Sequence, residues 1–376
     1  MVAEESDIDL KVYFCSDVST RSFVDVEGFG KEIKWDIPLL EGYAYEFLPA
    51  KGSTDEISFW KPSSFGLTER LKHGQFDVLW IHGYGRYFNL RAMLAAKMLG
   101  MRVLLRDEAN LISAPRGTRK LLAKKILFSF IRRTCDAFLP IGSLNADYYL
   151  SYGIPKEKLF QVPYAVDNQY FRSKVDGASG DELRRELALE PGRPVILYAS
   201  KFMARKKPDD LLEAYVSLSE DGKSEPHPYL LFVGDGEMNE ALRARARETG
   251  WDSIKFLGFR NQSELPAYFK LCDVFVLPSF HEPWGLVINE VMNAGRAVIV
   301  SDQVGCAPDL VKNGENGFVF KAGDVAGLSR ALAETLQDPE TCKAMGEKSL
   351  EIISGWGFRE DVEGLKQAIK YVKGEC

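Results

Sequence analysis

Between residues 194 and 320, six short apolar runs are separated by stretches of helical spacing: "PVILYAS" (194–200), "YLLFVGD" (229–235), "SIKFLG" (253–258), "CDVFVLPS" (272–279), "RAVIVSD" (296–302) and "NGFVF" (316–320). Apolar strands that alternate with helices are the pattern of α/β architecture with parallel sheets. The first half repeats it less cleanly, with "KVYFC" (11–15), "DVLWIHG" (77–83), "MRVLLRD" (101–107) and "CDAFLPIG" (135–142) as strands and periodic segments such as "NLRAMLAAKMLG" between them.

The alternation breaks at 163–194, a stretch rich in Pro, Gly, Asp and Ser with no strand signal before "VILYAS". A length of 376 residues exceeds a single core, so a boundary there, dividing residues 1–165 from 166–355, is the expected organisation. Two doubly wound domains facing each other would leave an interdomain cleft at the carboxyl ends of both sheets, where such folds take their ligands.

A formal charge of −6 speaks against a surface built to grip nucleic acid. The six cysteines (Cys15, Cys135, Cys272, Cys306, Cys342, Cys376) form no C-x-x-C pair, which points to reduced thiols in the cytoplasm and away from a zinc site or a disulfide framework. The acidic start "MVAEESDIDLKVYF" reads as no secretory signal, and no apolar run reaches membrane-spanning length. Asp7 and Asp9 have D-x-D spacing but precede the first strand; they read as a polar tail, and no metal is inferred.

The stretch "HEPWGLVINEVMNAG" (281–295) sets Glu282 and Glu290 around a Trp-Gly step. It reads as strand, loop and helix, with Glu282 in the loop, Glu290 about two turns into the helix and Gly295 closing it. A helix start at the edge of a parallel sheet offers unpaired N–H groups to a phosphate, and Gly285 lets a ligand approach the backbone of Leu286 and Val287. Carboxylates beside it suit hydroxyl donors, so one ligand that satisfies both features is a sugar nucleotide. A second anchor is "YASKFMARKKPDDLLEAY": the strand runs into Lys201, Arg205, Lys206 and Lys207, cations able to hold a diphosphate as charge develops on it. The next loop, "VGDGE", adds small residues, Gly234 among them, at the same edge.

These residues carry a resemblance. "EPWGLVINE" resembles the E-x7-E motif of the family-4 retaining glycosyltransferases of GT-B fold, and "SKFMARKKP" resembles their phosphate loop, with Ser200 and Lys201 where the family has Gly and Arg. "LGF" (257–259), "YFKLCDVFVLPS" (268–279) and "LVKNGENGFVF" (310–320) follow in the family's order. The resemblance implies that Lys201 and Lys206 bind the donor diphosphate, that Glu290 holds the ribose and that Glu282 contacts the transferred sugar. It further implies contacts to the base around Phe259, a wall from Gly234 and Trp284, and backbone contacts from Gly285, Leu286 and Val287. The implied reaction is metal-independent, retains the anomeric configuration, uses no cofactor beyond a UDP- or GDP-sugar co-substrate, and delivers a hexose to a glycan or lipid-linked saccharide held by the N-terminal domain. The final segment, 356–376, resembles the family's last helices, which pack back on the first domain. An inactive GT-B binding module and a GT-B sugar-nucleotide epimerase are the alternative functions.

His82, at a strand end in "WIHGYGRY", reads as an acceptor-side base or donor, with Arg106 and Glu108 as other occupants of that edge. The family's N-terminal Gly-Gly loop is absent; Gly28 and Gly30 in "CSDVSTRSFVDVEGFG" read as loop residues. The segment 115–135 holds seven basic residues and no acid, with Leu122, Ile126, Leu127, Phe130 and Ile131 at helical spacing. Such a helix either packs on the core with a solvated basic face or lies on anionic lipid at the inner face of the cell membrane.

Overall fold

The computed structural model describes residues 2–25, 28–112, 117–220 and 227–375, the side chains of 118, 119, 219 and 220 excepted. The chain divides into two compact units: one is formed by the chain up to Phe23 with Pro38–Tyr164 and Phe358 onward, the other by Val24–Ile37 with Ala165–Gly357.

In the first unit, β1 (Lys11–Phe14) pairs in parallel with β2 (Ala44–Phe47), and β3 (Val78–His82), β4 (Arg102–Arg106) and β5 (Ala137–Phe138) form a parallel sheet in that order. β5 is much shorter than the run "CDAFLPIG": the Asp136 carboxylate takes the Val103 N–H at 2.8 Å, and Pro140 has no N–H to give. Successive residues of β4 serve opposite cores, as the two-residue period requires. Val103 and Leu105 join Met93, Phe128, Ile131 and Phe138, whereas Leu104 joins Ala137, Leu139 and Val162 against Leu365, Ala368 and Val372. The last three come from the helix Phe358–Lys373.

Arg106 fastens that helix. Its Nη2 donates to the carbonyls of Val162 and Pro163 and to Asp361 Oδ2, each at 3.0 Å, and its guanidinium stacks 4.8 Å from the Tyr164 ring centroid. At 7% exposure it is a buried structural cation, so the expectation that it lines an open strand edge gives way to a different use.

The second unit is a six-stranded, wholly parallel sheet: β6 (Val195–Ala199), β7 (Tyr229–Val233), β8 (Ile254–Gly258), β9 (Val274–Leu277), β10 (Ala297–Ser301) and β11 (Gly317–Phe320). Its spatial order is β8-β7-β6-β9-β10-β11. Every residue of β6, β7, β9 and β10 is buried, which is why these runs carry no polar alternation. Taking β6 as the first strand, the order reads 3-2-1-4-5-6, the doubly wound arrangement whose ligand crevice opens where the order reverses, between β6 and β9. The stretch at 163–194 that lacked a strand signal holds two helices, Asn168–Gly177 and Gly180–Glu186, capped by the Asp167 and Ser179 side chains.

Among the described residues no helix is long and apolar enough to cross a membrane, and no group of His, Cys, Asp and Glu could hold a metal ion. Five cysteines are free thiols, and Cys376 lies outside the described residues.

Candidate active site

The two loops that the sequence singles out leave neighbouring strands at the reversal of sheet order. One follows β6 and carries Lys201 and Lys206; the other follows β9 and carries Glu282. They are stitched together by the Phe280 N–H on the Arg205 carbonyl at 2.8 Å and by Arg205 Nη1 on the His281 carbonyl at 3.2 Å. Across this seam Lys206 Nζ meets Glu282 Oε2, with the two side chains only 11% and 14% exposed. Burial, then the Arg205 and Lys201 charges, push the Lys206 ammonium down to about 7, while the carboxylate in contact with it pulls the other way. Glu282 is held from its other side: its N–H donates to the Gln303 carbonyl at 3.1 Å, and its carbonyl accepts from Gly305 N at 2.9 Å.

Glycines set how closely the loops approach. Gly234 has φ 140°, and a Cβ there would lie 2.0 Å from the Ser200 carbonyl oxygen, so the loop after β7 can rest against the loop after β6 only without a side chain. The Phe202 N–H on the Asp235 carbonyl at 2.9 Å completes that contact. Gly285, at φ 98°, turns the chain into the helix Leu286–Met292. That helix ends with Asn293 as its C-cap, short of Gly295, and because it begins at Leu286, Glu290 stands just past the first turn rather than two turns in.

Glu290 is half-buried and makes no side-chain hydrogen bond or ion pair among the described residues; burial alone pushes its carboxyl up to about 8. Trp284 departs from the expected ligand wall. Its indole is 3% exposed, donates from Nε1 to Asn289 Oδ1 at 2.9 Å and lies 5.4 Å from the Trp356 ring centroid, so it braces the turn from beneath. Leu286 is 41% exposed at the helix start, beside Val287, whose amide belongs to a first turn without intrahelical acceptors.

Sequence reading missed Asp25 and residues 28–31, which lie in the same unit. Asp25 Oδ2 sits 2.6 Å from Lys201 Nζ, Lys31 Nζ sits 2.7 Å from Asp235 Oδ2, and the Phe29 and Phe259 rings meet edge to face at 4.7 Å. No local pattern announces these contacts, because the partners are some two hundred residues apart in the chain.

In the first unit, His82 ends β3 with its ring 4.7 Å from that of Trp80. Its side chain is exposed at the rim, yet desolvation by surrounding protein, and then Arg106, depress the imidazole to about 4, so it is neutral at pH 7. Glu108 accepts from the Tyr164 hydroxyl.

Residues 179–351 match the family model described as glycosyl transferases group 1. The chain is similar to the GDP-mannose-dependent alpha-(1-6)-phosphatidylinositol monomannoside mannosyltransferase of Mycobacterium tuberculosis, with 33% identity over 64% of this chain and 62% of the relative. It is also similar to the sulfoquinovosyl transferase SQD2 of Arabidopsis thaliana, with 27% identity over 71% of this chain and 51% of the relative. The chain thus spans between half and two thirds of the length of these relatives. Among solved structures, HepE of Anabaena in complex with UDP superposes with a TM-score of 0.67 at 18% identity, over 89% of this chain and 86% of that one. The fold is GT-B, with two Rossmann-like units.

Proposed function

We propose that this chain is a retaining, metal-independent glycosyltransferase that moves a hexose from a UDP- or GDP-sugar to a glycan or lipid-linked acceptor, acting in the cytoplasm in the synthesis of a cell-surface polysaccharide or glycolipid. The observation that carries the reading is the Lys206–Glu282 pair beside Lys201 at the point where the order of the second sheet reverses. Two cations converge where a leaving diphosphate needs them, and a carboxylate stands next to them where sugar hydroxyls can donate. Donor entry exchanges the internal partner of Lys206 for phosphate oxygens and frees Glu282 for the sugar. Glu290, whose side chain has no partner among the described residues, accepts from the ribose hydroxyls. His82, a neutral imidazole, is the acceptor-side group in the first unit.

A thermal-melt panel with UDP, GDP, ADP and TDP tests the donor site. One nucleotide at ~100 times its dissociation constant raises stability by ~2.7 kcal/mol, and Glu290→Ala removes most of that response. A panel in which no nucleotide shifts the wild-type melt removes the support for a donor site here.

We further propose that the helix Thr118–Thr134 rests on anionic lipid. Both sequence readings of it have support: Phe128 and Ile131 are buried, whereas Leu122 and Ile126 are 62% and 66% exposed on a helix with exposed Lys120, Lys125, Arg132 and Arg133. Pro115 and Arg116 lie outside the described residues. The double variant Leu122→Glu with Ile126→Glu is expected to lower partitioning onto phosphatidylglycerol-rich vesicles about tenfold or more without moving the melting temperature. Equal partitioning of variant and wild type sinks the idea.

A further inference from the structure

Asp25 and residues 28–37 hold to the rest of the second unit at five places. Besides the Asp25–Lys201 and Lys31–Asp235 pairs and the Phe29–Phe259 contact, Asn261 Nδ2 donates to the Lys34 carbonyl at 2.7 Å and Ser263 Oγ donates to Asp36 Oδ2. The turn is internally built to present Asp25. The Asp25 carbonyl accepts from Gly30 N at 2.9 Å, and its Oδ2 accepts from Phe29 N at 3.2 Å while touching the Lys201 ammonium. Gly28 lies so close that a Cβ there would come within 2.3 Å of Lys201 Nζ, and that ammonium also stands 5.1 Å from the centroid of the Phe29 ring.

On the reading that Lys201 meets the donor diphosphate and Phe259 the base, each of these contacts takes a place the nucleotide needs. A carboxylate oxygen at 2.6 Å is the partner a phosphate oxygen would be. Two rings with centroids 4.7 Å apart leave no gap for a third to stack between them. We propose that Asp25 and Phe29 are an internal stand-in for the donor, with Asp25 on the phosphate-binding Lys201 and Phe29 on Phe259, and that a nucleoside diphosphate binds by displacing them. This rests on the donor-site reading above and adds to it a fixed penalty on binding: the measured affinity is the intrinsic one multiplied by the fraction of molecules whose strap is released. Such a strap also keeps the lysine loop compensated when no nucleotide is bound.

The test compares UDP and GDP binding, by calorimetry, to the wild type, Asp25→Asn, Phe29→Ala and Lys201→Ala. Asp25→Asn keeps an oxygen for the Phe29 N–H and removes only the charge. Displacement predicts that Asp25→Asn and Phe29→Ala each bind the nucleotide about three- to tenfold more tightly, while Lys201→Ala binds it at least tenfold more weakly. If Lys201→Ala weakens binding but the strap variants bind no better than wild type, the stand-in is overturned and the donor site stands. If Lys201→Ala leaves binding unchanged, both readings fall. Hydrogen exchange gives an independent readout: on adding the nucleotide, amides at 28–37 exchange faster if the strap is displaced, and slower if it closes over the ligand, which overturns the proposal.

Discussion

Lys206→Met is expected to lower the stability of the protein by about 2–4 kcal/mol and to abolish transfer, and adding Glu282→Gln to it is expected to restore most of the stability and none of the activity. The single change leaves the Glu282 carboxylate, 14% exposed, beside an apolar side chain and without its cation. Removing one partner of a buried pair costs more than removing both, because the survivor keeps its desolvation penalty. A loss of this size lowers the melting temperature by roughly 5–15 °C, and the double variant should return to within about 1 kcal/mol of wild type. Transfer should fall by about a thousandfold in both, since neither retains the cation beside the leaving group. Melting curves and donor turnover on the three proteins decide the matter. A single variant that melts like the wild type would mean that the pair is not formed in solution, and an active double variant would remove it from the chemistry.

Glu290→Gln is the second large effect, and it depends on pH. In the folded protein the carboxyl titrates at about 8 against an ordinary value of 4.5, so between those limits the native state binds a proton that the unfolded chain has released. Stability is therefore greatest below about pH 4.5 and declines as pH rises to about 8, after which the full penalty is present. Glutamine carries no such proton. The variant should match the wild type near pH 4.5 and exceed it by on the order of 1–3 kcal/mol at pH 7.5, the low end reflecting a side chain that is only half-buried. Denaturant unfolding of both proteins at four pH values checks this; parallel curves would show that Glu290 is solvated.

The sheet of the second unit was readable from the chain almost residue for residue, because a strand buried on both faces is a continuous apolar run bounded by polar turns. β6 and β7 each lie one or two residues inside their quoted runs. The Lys201, Lys206 and Glu282 loops were readable for the same reason, since each follows such a strand. Most of what escaped was set by contacts distant in sequence. Arg106 sits at a strand end like a site residue, and only the arrival of Asp361, 255 positions later, turns it into a structural clamp. Trp284 looked like a ligand wall until Asn289 and Trp356 drew its ring inward. Asp25, Phe29 and Lys31 stand in a stretch that reads as an ordinary loop, and their partners Lys201, Phe259 and Asp235 lie far down the chain.

The helix Phe358–Lys373 fixes an order of events at the ribosome. It supplies Leu365, Ala368 and Val372 to a core whose other members, Leu104, Ala137, Leu139 and Val162, are synthesised more than two hundred residues earlier. All of Ala165–Gly357 emerges in between and can complete its own sheet first. Until the last helix docks, the face of β4 that carries Leu104 stays uncovered, and Arg106 lacks the acid that balances it. The first unit thus closes its core only after the residues of the second have been made.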